Sequence, residues 1–180
     1  MSKNQQFLIK ITITAILTAA AVIINRFLSF NVWNMSIGVS FIPVMICSLL
    51  FGPLWGGICG GLADFIGAIF FPFGPYFFGF TATAFLSGVF YGLPLLLSKK
   101  STKPYVFAIL CFVFLLINEL VCTLTLNSLW IELLYSGEFI PILISRIPKS
   151  VVDLVLGVLV GVAARFSIIP PIKKVMSRNS

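Results

Sequence analysis

Histidine is absent from this chain, which removes the commonest general base and the commonest metal ligand at neutral pH. Charge is nearly as scarce. Lysine, arginine, aspartate and glutamate make up 9% of the 180 residues, against roughly 25% in a soluble globular domain. So few charges cannot cover a wetted surface, so lipid is the solvent most of the chain meets. There is no Gly-rich Lys-Ser/Thr phosphate loop, which rules out ATP hydrolysis of that kind by the chain itself. The four cysteines (Cys47, Cys59, Cys111 and Cys122) have neither CxxC nor metal-type spacing and read as small buried hydrophobes. No nucleophile sits beside a base, so the residues describe no enzyme, no metal site and no cofactor site.

What remains is hydrophobic: 59% of residues are apolar and the mean hydropathy is +1.12. The net charge of +7 forms no stripe on a polar scaffold, which argues against nucleic acid. At about 20 residues per crossing, the chain has room for five to seven helices and no separate soluble domain. Apolar runs cover residues 7–30, 37–51, 55–70, 82–97, 105–126 and 144–166. The expectation is therefore an all-α integral membrane protein, residues 1–180 forming a single domain with six transmembrane helices. The first run carries marks of a secretory signal, with Lys3 and Lys10 ahead of it and small residues at Ala19–Ala21. Cleavage there would place the basic C-terminus outside, against the charge bias, so the run is taken as a span. With six spans, Lys3, Lys10, Lys99, Lys100, Lys103, Arg165, Lys173, Lys174 and Arg178 share one side. The positive-inside bias then makes both termini cytoplasmic. No internal repeat supports an inverted-repeat transporter.

Residues 71–81 stand out among the outward segments. Pro72, Pro75, Gly74 and Gly79 argue against a helix there, yet five phenylalanines and Tyr76 make the segment too apolar to lie loose in water. An aromatic loop at the mouth of a cavity is expected. The other outward segments are 29–36 and the polar-aromatic stretch 127–141. Gly56/Gly60, Gly57/Gly61, Gly88/Gly92 and Gly157/Gly161 are each four apart, as close helix packing requires. Ala15 and Ala19 form a similar face that either packs within the chain or docks a partner helix.

Ionisable residues inside spans mark cavities or partners, since a charge at the bilayer centre costs at least about 2.5–3.5 kcal/mol. Asp64, Glu119 and Asp153 fall in this class, and Arg146, Lys149 and Asp153 share one helix face. Lys149 and Asp153 either neutralise each other or serve a ligand. Arg26 and Arg146, the amides Asn25, Asn31, Asn34 and Asn127, and many aromatics cluster towards the same end. Trp33, Trp130 and Tyr135 fit either an interfacial belt or ring stacking. The set suits a ligand with a flat ring, a hydrogen-bonding edge and negative charge.

Four motifs carry a resemblance: Ala15-xxx-Ala19; Phe51-Gly-Pro-Leu-Trp-Gly-Gly57; Ala63-Asp64-xx-Gly67; and Tyr76-Phe-Phe-Gly-Phe-Thr81 leading to Gly88-xx-Tyr91-Gly92. With these the chain resembles the substrate-binding (S) subunits of energy-coupling-factor (ECF) vitamin transporters, most closely the folate-specific ones. The resemblance implies a multi-pass protein of the bacterial plasma membrane that binds folate outside and delivers it inward. Its implied partners are a shared transmembrane T subunit, docked on Ala15 and Ala19, and two ATPase subunits that use the ATP. On that footing Arg26, Arg146 and Lys149 are tail or gate cations, and Tyr76, Phe77 and Trp130 are stacking candidates. Asp64, Glu119, Asn34 and Asn127 are candidates for the pterin edge, with Asp64 alternatively a structural hydrogen-bonder. Rival readings are an S subunit for another flat vitamin, such as riboflavin or thiamine, and an autonomous transporter using Asp64 or Glu119 as a proton carrier.

Overall fold

Backbone groups in lipid have no water to bond, so apolar runs close their hydrogen bonds within helices. The computed structural model describes residues 3–32, 35–72, 74–98, 104–135, 137–168 and 170. Helix α1 (Lys3–Phe27) leads into a short antiparallel ribbon, β1 (Phe30–Val32) and β2 (Met35–Ile37), which pairs Phe30 with Ile37 and Val32 with Met35. Then follow α2 (Phe41–Phe51), α3 (Pro53–Phe70) and α4 (Phe78–Leu97). Helix α5 (Pro104–Asn118) widens into a π-helical stretch (Glu119–Leu126) and continues as α6 (Asn127–Tyr135). Helix α7 (Phe139–Ala163) ends in a second π stretch, Ala164–Ile168.

The helical reading holds, with three corrections. Among the described residues, five helices are long and apolar enough to cross a membrane: Asn4–Phe27, Pro53–Phe70, Phe78–Leu97, Tyr105–Tyr135 and Phe139–Ser167. The expected second span is helical only over the 11 residues of α2, which at about 1.5 Å per residue reach roughly half of a ~30 Å hydrocarbon layer. Of the residues expected to open that helix, Ile37 closes the β ribbon and residues 38–40 form the turn into α2. The aromatic segment is shorter than its prolines suggested: α4 begins at Phe78, so Phe78–Thr81 are helical. Pro72 and Pro75 disrupt only their own neighbourhood, and no proline follows until Pro94. Most of 127–141 is helix as well, because Leu129, Leu133 and Leu134 continue a helical run that the scattered polar residues do not interrupt. The basic residues Lys99, Lys100, Lys103, Lys173, Lys174 and Arg178 lie outside the described residues.

Gly52 turns the chain between α2 and α3. Its φ of +103° suits only glycine, its N–H donates to Ser48 O at 2.9 Å, and Pro53 opens the next helix. Helix α3 then meets α4 almost backbone to backbone. A Cβ on Gly88 would run into the Gly56 carbonyl, and one on Gly60 would lie 2.6 Å from Ala84 O. Ser48 Oγ donates to Gly88 O across the same contact. The glycine pairs therefore serve packing within the bundle.

Two apolar cores result. One joins α1, α2 and α3 through Ala21, Val22, Val44, Cys47, Cys59 and Ala63. The other joins α2, α5 and the end of α7 through Met45, Leu49, Phe107, Cys111, Leu115 and Ala164. All four cysteines are free and buried. Apolar side chains such as Ile16, Phe70, Ile109 and Leu159 point outward, as lipid contact allows.

Candidate functional site

A cavity of two adjoining lobes opens between these helices, and Asn25, Ser40, Phe41 and Tyr91 line both lobes. The first lobe, about 170 Å³, is framed by Ala21, Val44, Gly60, Ala63, Ala84, Ser87 and Asp64. Short side chains on α1, α3 and α4 leave the space, and Asp64 supplies its charge. The second lobe, about 200 Å³, is polar, with Gly38, Glu119, Thr123, Asn127, Arg146, Lys149 and Asp153 on its walls. The rings of Phe41 and Tyr91, 6.4 Å apart and tilted by 56°, form the waist between the lobes.

Helix α7 delivers its cations as the spacing predicted. Lys149 Nζ and Asp153 Oδ2 are 2.7 Å apart and largely shielded, so these two neutralise each other while facing the polar lobe. Arg146, one turn earlier, is 6% exposed and within electrostatic reach of Glu119, itself 6% exposed. Asn118 Nδ2 donates weakly to Glu119 Oε1 at 3.5 Å, whereas the buried Oε2 accepts no hydrogen bond among the described residues. The wide turns of the π stretch start at Glu119 and bring Glu119, Thr123 and Asn127 to the same lobe. π segments often occur where a helix must re-aim side chains for function. Two acids and two bases thus share one lobe, and their formal charges cancel. Among the described residues no three potential metal ligands converge.

Asp64 lies in the other lobe at a junction of three helices. Thr81 Oγ1, on α4, donates to Asp64 Oδ2 at 2.7 Å, and Tyr76 Oη lies 3.1 Å from Thr81 Oγ1. Arg26, at the end of α1, lies against Gly67, one turn beyond Asp64, close enough that a Cβ there would sit 2.7 Å from Nε. Asp64 is within its electrostatic reach. Arg26 itself lines neither lobe.

The remaining candidates separate. Phe77 and Trp130 lie against each other at 5.4 Å, Trp130 Nε1 donates to Thr83 Oγ1 at 2.9 Å, and neither ring lines the two lobes. Tyr76 packs edge-on to Phe65 at 6.0 Å and its hydroxyl faces Thr81. Asn34 lies outside the described residues. Ala15 and Ala19 are both exposed, while Thr14 and Thr18 on the inner face meet the thiols of Cys47 and Cys59. The alanine face is therefore not consumed by packing within the chain.

Sequence reasoning missed Phe41, Tyr91 and Ser40 as cavity residues. Tyr91 had a signal, since it stands in the Gly88-xx-Tyr91-Gly92 motif. Phe41 had none, being one of 19 phenylalanines.

Comparison with known proteins places this geometry in context. The family model described as "ECF-type riboflavin transporter, S component" matches residues 6–165. A "Folate transporter FolT" from Clostridium novyi (strain NT) is 34% identical over 139 residues, 77% of each chain. A "Folate transporter FolT" from Leuconostoc mesenteroides subsp. mesenteroides is 26% identical over 143 residues, covering 77% of this chain and 74% of that protein. A crystal structure of FolT bound with folic acid superposes with a TM-score of 0.73 at 28% identity, covering 85% of this chain and 90% of that one. The S-component for biotin from an ECF-type ABC transporter shares the fold, with a TM-score of 0.67 at 19% identity over 92% and 94% of the two chains.

Proposed function

The chain belongs to the S components of ECF-type transporters, and from that premise we propose that it is the folate-binding subunit of an ECF importer. The family is a transporter component rather than an enzyme, and the long apolar helices make the chain a multi-pass membrane protein. In the proposed mechanism the chain, a single domain in a bacterial plasma membrane with both ends cytoplasmic, captures folate at the outer face. It then delivers the vitamin inward with a shared T subunit, docked on the Ala15/Ala19 face, and two ATPase subunits. The chain carries no cofactor of its own, and its partners use the ATP.

One observation carries the choice of folate. A ring-lined waist, Phe41 and Tyr91, opens into a lobe holding Glu119 and Asn127 beside Arg146 and Lys149. A pterin offers a flat face to the waist and an edge of alternating donors and acceptors to a carboxylate and an amide. The glutamate tail of folate brings two carboxylates. Lys149 already holds Asp153, but an ammonium has three donors, so it can serve a ligand carboxylate as well. Riboflavin has no carboxylate to answer either cation. The names of the 34% identical relative and of the folate-bound structure support the same choice.

The description of the matching family model favours riboflavin instead, and titration separates the two. The purified chain is titrated with folate, riboflavin, thiamine and biotin. Saturable binding of folate alone is expected, and Lys149→Ala weakens it at least tenfold, about 1.5–3 kcal/mol for a lost charged partner. Riboflavin binding without folate binding overturns the assignment. In liposomes the chain alone is expected to bind vitamin without accumulating it; uptake driven by a proton gradient would instead make it an autonomous transporter.

A further inference from the structure

The chain of hydroxyl groups behind Asp64 is not explained by ring stacking, the role the sequence suggested for Tyr76. An ionised carboxylate only accepts hydrogen bonds, and a threonine hydroxyl has a single proton. Since Thr81 Oγ1 donates to Asp64 Oδ2 at 2.7 Å, the 3.1 Å contact between Tyr76 Oη and Thr81 Oγ1 must be donated by Tyr76. The order is therefore fixed: Tyr76 gives to Thr81, and Thr81 gives to Asp64. Each link comes from a different place. Asp64 is on α3 and lines the cavity, Thr81 is buried in the first turn of α4, and Tyr76 lies in the segment between those helices with its ring against Phe65. Arg26, at the end of α1, lies within electrostatic reach of the same carboxylate.

We propose that Thr81, with Tyr76 behind it, is a positioning residue that holds Asp64 Oδ2 and leaves Oδ1 facing the cavity for an N–H donor of the ligand. Neither residue is in the cavity lining, so both act through Asp64. Hydrogen bonds in such a chain polarise one another when the surroundings are dry, and loss of the Tyr76 proton weakens the Thr81 link without removing it. The assignment rests on the proposed vitamin-binding role of the cavity.

Four variants test it, with folate as the probe. Thr81→Val, which keeps the shape and removes the hydroxyl, is expected to raise the Kd at least tenfold, and Thr81→Ser to restore it to within about threefold of wild type. Tyr76→Phe, which keeps the ring on Phe65, is expected to raise Kd about threefold. Tyr76→Phe/Thr81→Val is expected to bind no worse than Thr81→Val alone, because Tyr76 has nothing left to act through. Wild-type affinity in Thr81→Val, no rescue by serine, or additive effects in the double variant would each overturn the proposal. If the wild-type chain binds no folate, the vitamin assignment fails, and the hydroxyl chain is then read without ligand. Amide hydrogen exchange over residues 74–81 of the unliganded protein should be faster in Tyr76→Phe and faster again in Thr81→Val. Unchanged exchange in both overturns it on that ground too.

Discussion

Two seams of this bundle follow opposite rules. Where α3 meets α4, Gly56, Gly60, Ala84 and Gly88 bring the backbones into contact, and nothing larger than a hydrogen fits at Gly88. Where the π stretch after α5 meets α7, Glu119, Arg146, Lys149 and Asp153 stand on the walls of the polar lobe. In lipid, helices gain little from the hydrophobic effect and rely on close packing and on polar contacts. The first seam is closed by packing at Gly56 and Gly88, and it borders the first lobe only towards Gly60 and Ala84, on the side of the Thr81–Asp64 hydrogen bond. The second accepts the cost of desolvated charge, which balanced pairs limit but do not cancel, and keeps a space with chemistry in it.

The contrast can be broken in three ways, in falling order of effect on stability. Arg146→Ala leaves the buried Glu119 with Lys149, already paired with Asp153, as the remaining cation of the lobe and is expected to cost about 3–5 kcal/mol, read as a lower unfolding midpoint of the purified chain. Arg146→Met/Glu119→Leu is expected to recover most of that stability while losing vitamin binding. A single variant as stable as wild type would show that the charges are not coupled. On the packed seam, Gly88→Ala is expected to cost about 1–3 kcal/mol. Gly157→Ala is expected to cost less, because its Cβ would lie 3.1 Å from the movable Leu115 Cδ1 rather than against backbone. Equal midpoints for the two would remove the distinction between the seams. The smallest effect belongs to Ala15→Leu/Ala19→Leu. On an exposed helix face this pair should change stability by less than about 0.5 kcal/mol and leave folate affinity intact, yet abolish copurification with a T subunit. Undiminished copurification would remove the docking role from this face.

Some of the site was legible before the fold was known. Arg146, Lys149 and Asp153 share a face by spacing alone, and the structure keeps them together at the polar lobe. Asp64 was marked by being an acid in an apolar run, and it lines the other lobe. Phe77 and Trp130 were marked by ring type, but the two rings pack on each other and Trp130 uses its N–H on Thr83. A ring's chemistry does not say whether its face is already covered. The loop expected over residues 71–81 was overextended because proline and glycine disrupt locally, and the chain is helical again from Phe78. The shortness of α2 was hidden because hydropathy records what a residue prefers and not whether it sits in a helix or in the turn that leads into one.

Composition alone settled the solvent, and with it the helices: a chain with 9% charged residues must bury or immerse the rest in lipid, where only closed hydrogen-bonding patterns survive. The missing phosphate loop likewise argued, without any fold, against ATP hydrolysis of that kind by the chain itself. Which charges face one another was a tertiary matter. Glu119 and Arg146 lie on different helices, and helical periodicity names the face of each but not the rotation or depth at which the two faces meet. Thr81 became the partner of Asp64 for the same reason, because only the glycine-tight approach of α4 to α3 brings a buried hydroxyl within 2.7 Å of that carboxylate.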